Sequence, residues 1–182
     1  MEWGIFVPLT FVVSYAAAHD QDATEAYVLL SLLNAGSVVG RFLPGLLSDR
    51  FGRFNTIAVT NALCAVTVFG MWLPAGDSRG VLIAFAVLFG FASGSNLCLS
   101  SICIGQLCDA GDYGRYVSTA MIIASFGTLT SLPIGGALLN LGGGETGWAA
   151  MIVFSGTSYV LAMVCYATAR VRAVGWNWRT IF

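Results

Sequence analysis

Gly45-Leu-Leu-Ser-Asp49-Arg50-Phe-Gly52-Arg53 stands between two long apolar runs, and the run that precedes it carries Arg41 deep within its hydrophobic sequence. An arginine placed in hydrocarbon is disfavoured by roughly 3 kcal/mol on insertion scales, so it faces a polar cavity or a partner. The charged stretch beside it must then lie at a membrane surface. Outward from these residues, the rest of the chain is built for a bilayer.

The 182 residues are 57% hydrophobic and 9% charged, with a mean hydropathy of +0.81, whereas soluble domains carry about 25% charged residues. Net charge is −1 and lysine is absent, which leaves no basic patch for nucleic acid. Cys64, Cys98, Cys103, Cys108 and Cys165 fall almost entirely inside apolar runs and form no Cys-x-x-Cys or Cys/His pattern, so they read as small packing residues. His19, the one histidine, sits in a hydrophilic turn. No metal site, cofactor or histidine-based catalysis is expected.

About 20 helical residues cross the roughly 30 Å hydrocarbon core. Six runs qualify as candidates: Trp3 to Ala18, Ala26 to Leu47, Phe54 to Leu73, Val81 to Gln106, Tyr116 to Leu139 and Trp148 to Ala169. Backbone polar groups go unsatisfied in lipid unless the segment is helical or part of a closed barrel, and no ten-residue alternating pattern is present. The expected class is therefore all-α, with a six-helix transmembrane domain over residues 1–170 and a cytoplasmic tail over 171–182. An N-terminal signal peptide is the competing reading of Met1 to Ala18, opposed by Glu2 and by the lack of a positive leading segment. If the spans alternate, Arg50, Arg53, Arg115, Arg170, Arg172 and Arg179 share one side and only Arg79 takes the other. The positive-inside rule then puts both termini in the cytoplasm. Trp3, Trp72, Trp148, Trp176 and Trp178 lie at the ends of runs or just beyond, where indoles are expected at the headgroup level. The tail, with Trp176, Trp178 and Phe182, either lies along the interface or frays.

At about 100° per residue, Ser31, Asn34, Ser37, Arg41 and Ser48 gather on one face of the second span, with Gly45 close by. Leu29, Leu32, Leu33, Val39, Leu43 and Leu46 occupy the other, alongside Phe42. Guanidinium is a permanently charged planar fork matched to carboxylate or phosphate. Arg41 is therefore a candidate anion ligand, with snorkelling to the surface or pairing with Asp49 as the alternative. Asp49, near a helix C-terminus, needs positive compensation, for which Arg50 and Arg53 are at hand.

The run Gly45, Asp49, Arg50, Gly52, Arg53 resembles the Gly-x-x-x-Asp-Arg-x-Gly-Arg signature of the major facilitator superfamily. The stretch Asn34-Ala-Gly-Ser-Val-Val-Gly-Arg41-Phe-Leu-Pro44-Gly45, with Leu132-Pro133-Ile-Gly135-Gly136-Ala-Leu-Leu139, resembles the C-terminal half of monocarboxylate-porter-like members of the fungal branch. The resemblance implies one half of a twelve-helix bundle, with spans 1, 2, 4 and 5 bordering a cavity and spans 3 and 6 facing lipid. It implies Arg41 as the carboxylate ligand and Gly45 to Arg53 as a cytoplasmic closure element docking on the other half. Ser37 stands where proton-coupled animal members carry an acid, one turn before the arginine.

On the fourth and fifth spans Ala86, Gly90 and Gly94, and Gly127, Ser131 and Gly135, recur at four-residue spacing, the pattern that lets helix backbones approach closely. Pro133 is a candidate kink, and Asn96, near Ser93 and Ser95, a candidate second cavity contact. The leading reading is a plasma-membrane transporter of a small organic anion, such as a monocarboxylate, bound by Arg41, Asn34, Ser37 and Asn96. Protons are a candidate co-substrate in a symport, and a complementary six-helix half or a second copy is the expected partner, within a lipid bilayer. The competing reading is a half-length membrane protein that acts as an interaction partner without transport of its own. No paired carboxylates or nucleophile-base pair lies within the spans to support an enzyme.

Overall fold

The computed structural model describes residues 1–19 and 23–175 and is built of helices. They are α1 (Glu2–Ala18), α2 (Ala23–Phe51), α3 (Arg53–Thr67), α4 (Arg79–Ser93), α5 (Asn96–Gln106), α6 (Tyr113–Gly142) and α7 (Gly144–Val174). A π-helical turn, Val68–Trp72, prolongs α3, closed by the Leu73 amide donating to the Val68 carbonyl at 3.0 Å. Five spans are long and apolar enough to cross a membrane, Arg79–Gln106 among them as one unit. The 17-residue α1 is the shorter sixth, at the lower end of the spanning range. Residues 20–22 and 176–182, including Trp176, Trp178, Arg179 and Phe182, lie outside the described residues.

Several expected boundaries change. The second span runs four residues beyond Leu47, to Phe51, so Asp49 and Arg50 belong to its last turn and Gly52 alone separates it from α3. Gly52 has φ +90°, a conformation that glycine adopts without steric penalty. Its amide donates to the Ser48 carbonyl, and its carbonyl accepts from both the amide and the hydroxyl of Thr56. The Asn55 side chain donates to the Phe51 carbonyl. Span 4 is interrupted at Gly94 and Ser95, and α7 continues to Val174.

The closest helix pair is α2 with α4, joined backbone to backbone through glycines contributed by each. A Cβ built on Gly36 would stand 2.6 Å from the Val87 carbonyl oxygen, and one on Gly40 would strike that of Phe91. Reciprocally, a Cβ on Gly90 would strike the Leu33 carbonyl, and one on Gly94 would stand 2.5 Å from that of Ser37. Small residues at four-residue spacing gain dispersion contacts in a medium where no hydrophobic drive acts between helices. This docking turns Leu29 and Leu33 inward, each 2% exposed, while Val39, Leu43 and Leu46 stay exposed, so the apolar face meets protein neighbours at one part and is open at the other.

On the other flank, Pro8 lacks the amide that would bond the Gly4 carbonyl. Ser155 of α7 donates its hydroxyl to that oxygen at 3.1 Å. Gly4 also leaves room for the Tyr159 ring. Along α6, Gly127 faces the Glu2 side chain and Gly135 faces Phe11 and Val7 of α1, with Ser131 fully buried. The helix runs continuously through Pro133.

At the end opposite the Gly52 turn, Tyr15, Trp72, Trp148 and Phe85 form an aromatic cluster, with Trp72 stacked on Phe85 at 5.2 Å and Tyr15 edge-on to Trp148 at the same distance. Trp72 is fully buried and Trp148 9% exposed, so both indoles pack against protein at the span ends. Trp3 is the more exposed indole and donates to Thr130 Oγ1. His19 stacks on Tyr15, its Nδ1 bonded to the Tyr15 carbonyl and its Nε2 3.3 Å from Glu145. Arg79 pairs with Glu25 at 2.8 Å.

The glycine seam generates a signed prediction. Gly90→Ala is expected to destabilise the protein by about 1–3 kcal/mol through overpacking, whereas Gly80→Ala, with open space at its Cβ, stays within roughly 0.5 kcal/mol. Denaturant unfolding in detergent micelles, followed by tryptophan fluorescence, separates the two.

Candidate functional site

Of the spans, α2 and α6 are the least buried. Between them α1 packs on both and also on α7. The open faces of α2 and α6 are long and largely apolar, as at Phe42, Leu46, Ile122, Phe126 and Leu129. Polar groups are set into this open side at few places, and these define the candidate site.

The polar stripe of the second span divides in two. Ser37 and Ser48 are 9% and 4% exposed and turn toward the packed face; Ser48 donates to the Gly45 carbonyl at 2.6 Å. Ser31, Asn34 and Arg41 are exposed. The Ser31 hydroxyl bonds the Tyr27 carbonyl, and the Asn34 amide nitrogen bonds the Leu30 carbonyl at 2.9 Å, which leaves the Asn34 side-chain oxygen without a bond. Arg41 has no hydrogen bond or ion pair among the described residues, with Asp49 or any other. Asn34 and Arg41 are two turns apart, roughly 10 Å along the axis.

Asp49 and Arg50 are exposed and Arg53 half-buried, and no ion pair joins them to one another. The compensation expected for Asp49 from Arg50 and Arg53 is therefore not made by direct pairing. A Cβ placed on Gly45 would have nothing within 4 Å, so no neighbour among the described residues requires a glycine there.

Asn96 departs from its expected cavity role. It is fully buried at the head of α5, accepts from the Thr60 hydroxyl at 2.7 Å and donates to the Cys64 sulfur at 3.6 Å. A side chain with both ends committed to α3 and no accessible surface offers nothing to a solute. Farther along, the Tyr166 hydroxyl donates to Ser100, and Phe54, Ile57, Leu99 and Cys103 form a second small core. Cys98 and Cys165 are exposed rather than packed, and all five cysteines are free thiols.

Two residues of α1 were not singled out from sequence. Thr10 and Ser14 are exposed, one turn apart, and neither hydroxyl has a partner among the described residues. Their four-residue spacing in an apolar helix was the available signal.

The major facilitator superfamily model matches residues 1–180, and the chain belongs to that family. It is 39% identical over 180 residues to the MFS-type transporter opdF of Penicillium oxalicum, covering 99% of this chain and 42% of that protein. It is 35% identical to the riboflavin transporter MCH5 of Saccharomyces cerevisiae, covering 97% and 34%, and 36% identical to the MFS transporter asaE of Aspergillus flavus, covering 96% and 39%. The chain thus spans between a third and about two fifths of the length of these relatives. No solved structure matches.

The Asn96 contacts carry a test of their own. Asn96→Val is expected to cost about 0.5–1.5 kcal/mol by removing the bond from Thr60, whose hydroxyl keeps the Ile57 carbonyl as acceptor, and the Thr60→Val/Asn96→Val pair to cost less than the sum of its singles, since both singles break the same bond. Thermal unfolding of the four proteins of the cycle measures the coupling.

Proposed function

We propose that this chain forms one six-helix half of an alternating-access transporter that moves a small organic anion, with Arg41 as the anion-binding group. The observation that carries this reading is a guanidinium exposed in the middle of an apolar helix with no partner among the described residues. Lipid gives such a group no solvation, so the face it occupies is wet and the group is free to take a planar anion in bidentate fashion. Asn34, with its side-chain oxygen unbonded, provides a neutral contact on the same edge of α2. Ser37, just inside, sets the backbone against Gly94.

The exposed faces of α2 and α6 meet a complementary six-helix unit or a second copy of the chain, across a midplane cavity about which the two units rock. The open space at Gly45 supports close approach of that unit, and Asp49, Arg50 and Arg53 act at the same end in closure. Arginine placement supports a cytoplasmic position for this end and for both termini in the plasma membrane. The relative named for riboflavin widens the solute class beyond short monocarboxylates toward larger oxygenated molecules.

In the assembled transporter, reconstituted in liposomes, Arg41→Ala is expected to abolish saturable uptake of a carboxylate panel with insertion unchanged. Arg41→Lys, which keeps the charge but loses the planar fork, is expected to retain a minor fraction with a raised KM. Wild-type uptake by Arg41→Ala removes the anion-binding role.

A further inference from the structure

Serines and threonines in apolar helices ordinarily return their hydroxyl to a carbonyl one turn back. Most of the exposed ones on other helices do so here, Ser31 to Tyr27, Thr119 to Arg115, Ser125 to Ile122, Thr130 to Phe126 and Thr168 to Cys165, with Ser118 near the start of α6 an exception. Thr10 and Ser14 do not, although both are exposed within a helix that is otherwise almost wholly apolar. Facing lipid, two unbonded hydroxyls would each carry the full cost of desolvation.

Their direction on α1 is set by its packing. Gly4 and Tyr15 turn toward α7, against Tyr159 and Trp148, while Val7 and Phe11 reach Gly135 of α6. Thr10 and Ser14 are one turn apart and exposed, so the packing of α2, α6 and α7 on α1 leaves both uncovered.

We propose that Thr10 and Ser14 form a neutral hydrogen-bonding subsite for the solute, facing the same aqueous opening as Arg41, and that this subsite selects organic anions bearing hydroxyl or other oxygen groups away from the carboxylate. The pair offers two donors and several acceptor lone pairs on successive turns, suited to a polyol or similarly oxygenated segment. A purely aliphatic carboxylate leaves both hydroxyls unpaired, and discrimination follows from that penalty. The proposal rests on the anion-transport reading above and deepens it.

The test uses the full-length transporter in two arms. In the first, Thr10→Cys and Ser14→Cys are treated with the charged, membrane-impermeant reagent 2-(trimethylammonium)ethyl methanethiosulfonate, and modification is read at those positions by peptide mass spectrometry. Labelling is expected, because a charged reagent reaches a wet wall; absence of labelling in correctly inserted, monodisperse protein places the stripe in lipid and overturns the proposal. In the second, liposome uptake is compared for gluconate and hexanoate, carboxylates that differ only in hydroxyls. Wild type is expected to favour gluconate, and Thr10→Val/Ser14→Ala to raise the KM for gluconate roughly tenfold while leaving hexanoate unchanged. Thr10→Ser is expected to retain the preference. Absence of a wild-type preference, or equal losses for both solutes, overturns the subsite. Arg41→Ala removes uptake of both solutes if the anion reading holds; if it spares both while the hydroxyl variants still discriminate, the anion reading falls and the subsite stands.

Discussion

Hydrocarbon offers helices no reason to associate other than close contact and satisfied polarity, and the glycine seam between α2 and α4 is where this chain meets that constraint most directly. Gly36 and Gly40 admit the carbonyls of Val87 and Phe91, while Gly90 and Gly94 admit those of Leu33 and Ser37. Because the contact is reciprocal, it fixes both the rotation and the height of each helix. The rotation of α2 decides that Leu29, Leu33, Ser37 and Ser48 go inward and that Asn34 and Arg41 stay out. The candidate site therefore takes its geometry from residues that have no side chain.

The same medium explains how polarity is distributed. Where a polar group is enclosed, another span answers it: Ser155 supplies the donor that Pro8 denies to Gly4, and Thr60 with Cys64 engages both ends of Asn96. Where Thr10, Ser14 and Arg41 face outward, no answer comes from the described residues. Binding capacity in a membrane protein of this kind is therefore found among the unanswered groups, since answered ones have already committed their hydrogen bonds.

Hydropathy made the all-α class and the six spans legible because charged or glycine-rich residues punctuate each apolar run. The Gly45 to Arg53 signature made the family legible, since its spacing survives whatever the helix rotation. Facing was harder to read. Angular position grouped Ser37 with Asn34, yet burial on α2 follows the glycines that admit a partner backbone, and that partner lies on α4, more than forty residues away in sequence. One dimension records that Trp72 and Trp148 sit near span ends, but not that four aromatic rings converge there. Asn96 looked like a cavity residue for a similar reason: its polarity is visible in sequence, whereas Thr60 and Cys64 become its partners only after α3 and α5 pack. The interruption at Gly94 and Ser95 lacks a proline or charge to announce it.

Gly52 gives the signature region a mechanical character of its own. A single residue joins a 29-residue helix to the next, and hydrogen bonds from Asn55 and Thr56 tie the junction on both sides. Such a joint has almost no slack, so α2 and α3 behave as the two arms of a stiff elbow. Any tilt of α2 is handed to α3 without being absorbed in a loop, and through α3 to α7, against which it packs. The last helix is thus geared to the second through one glycine.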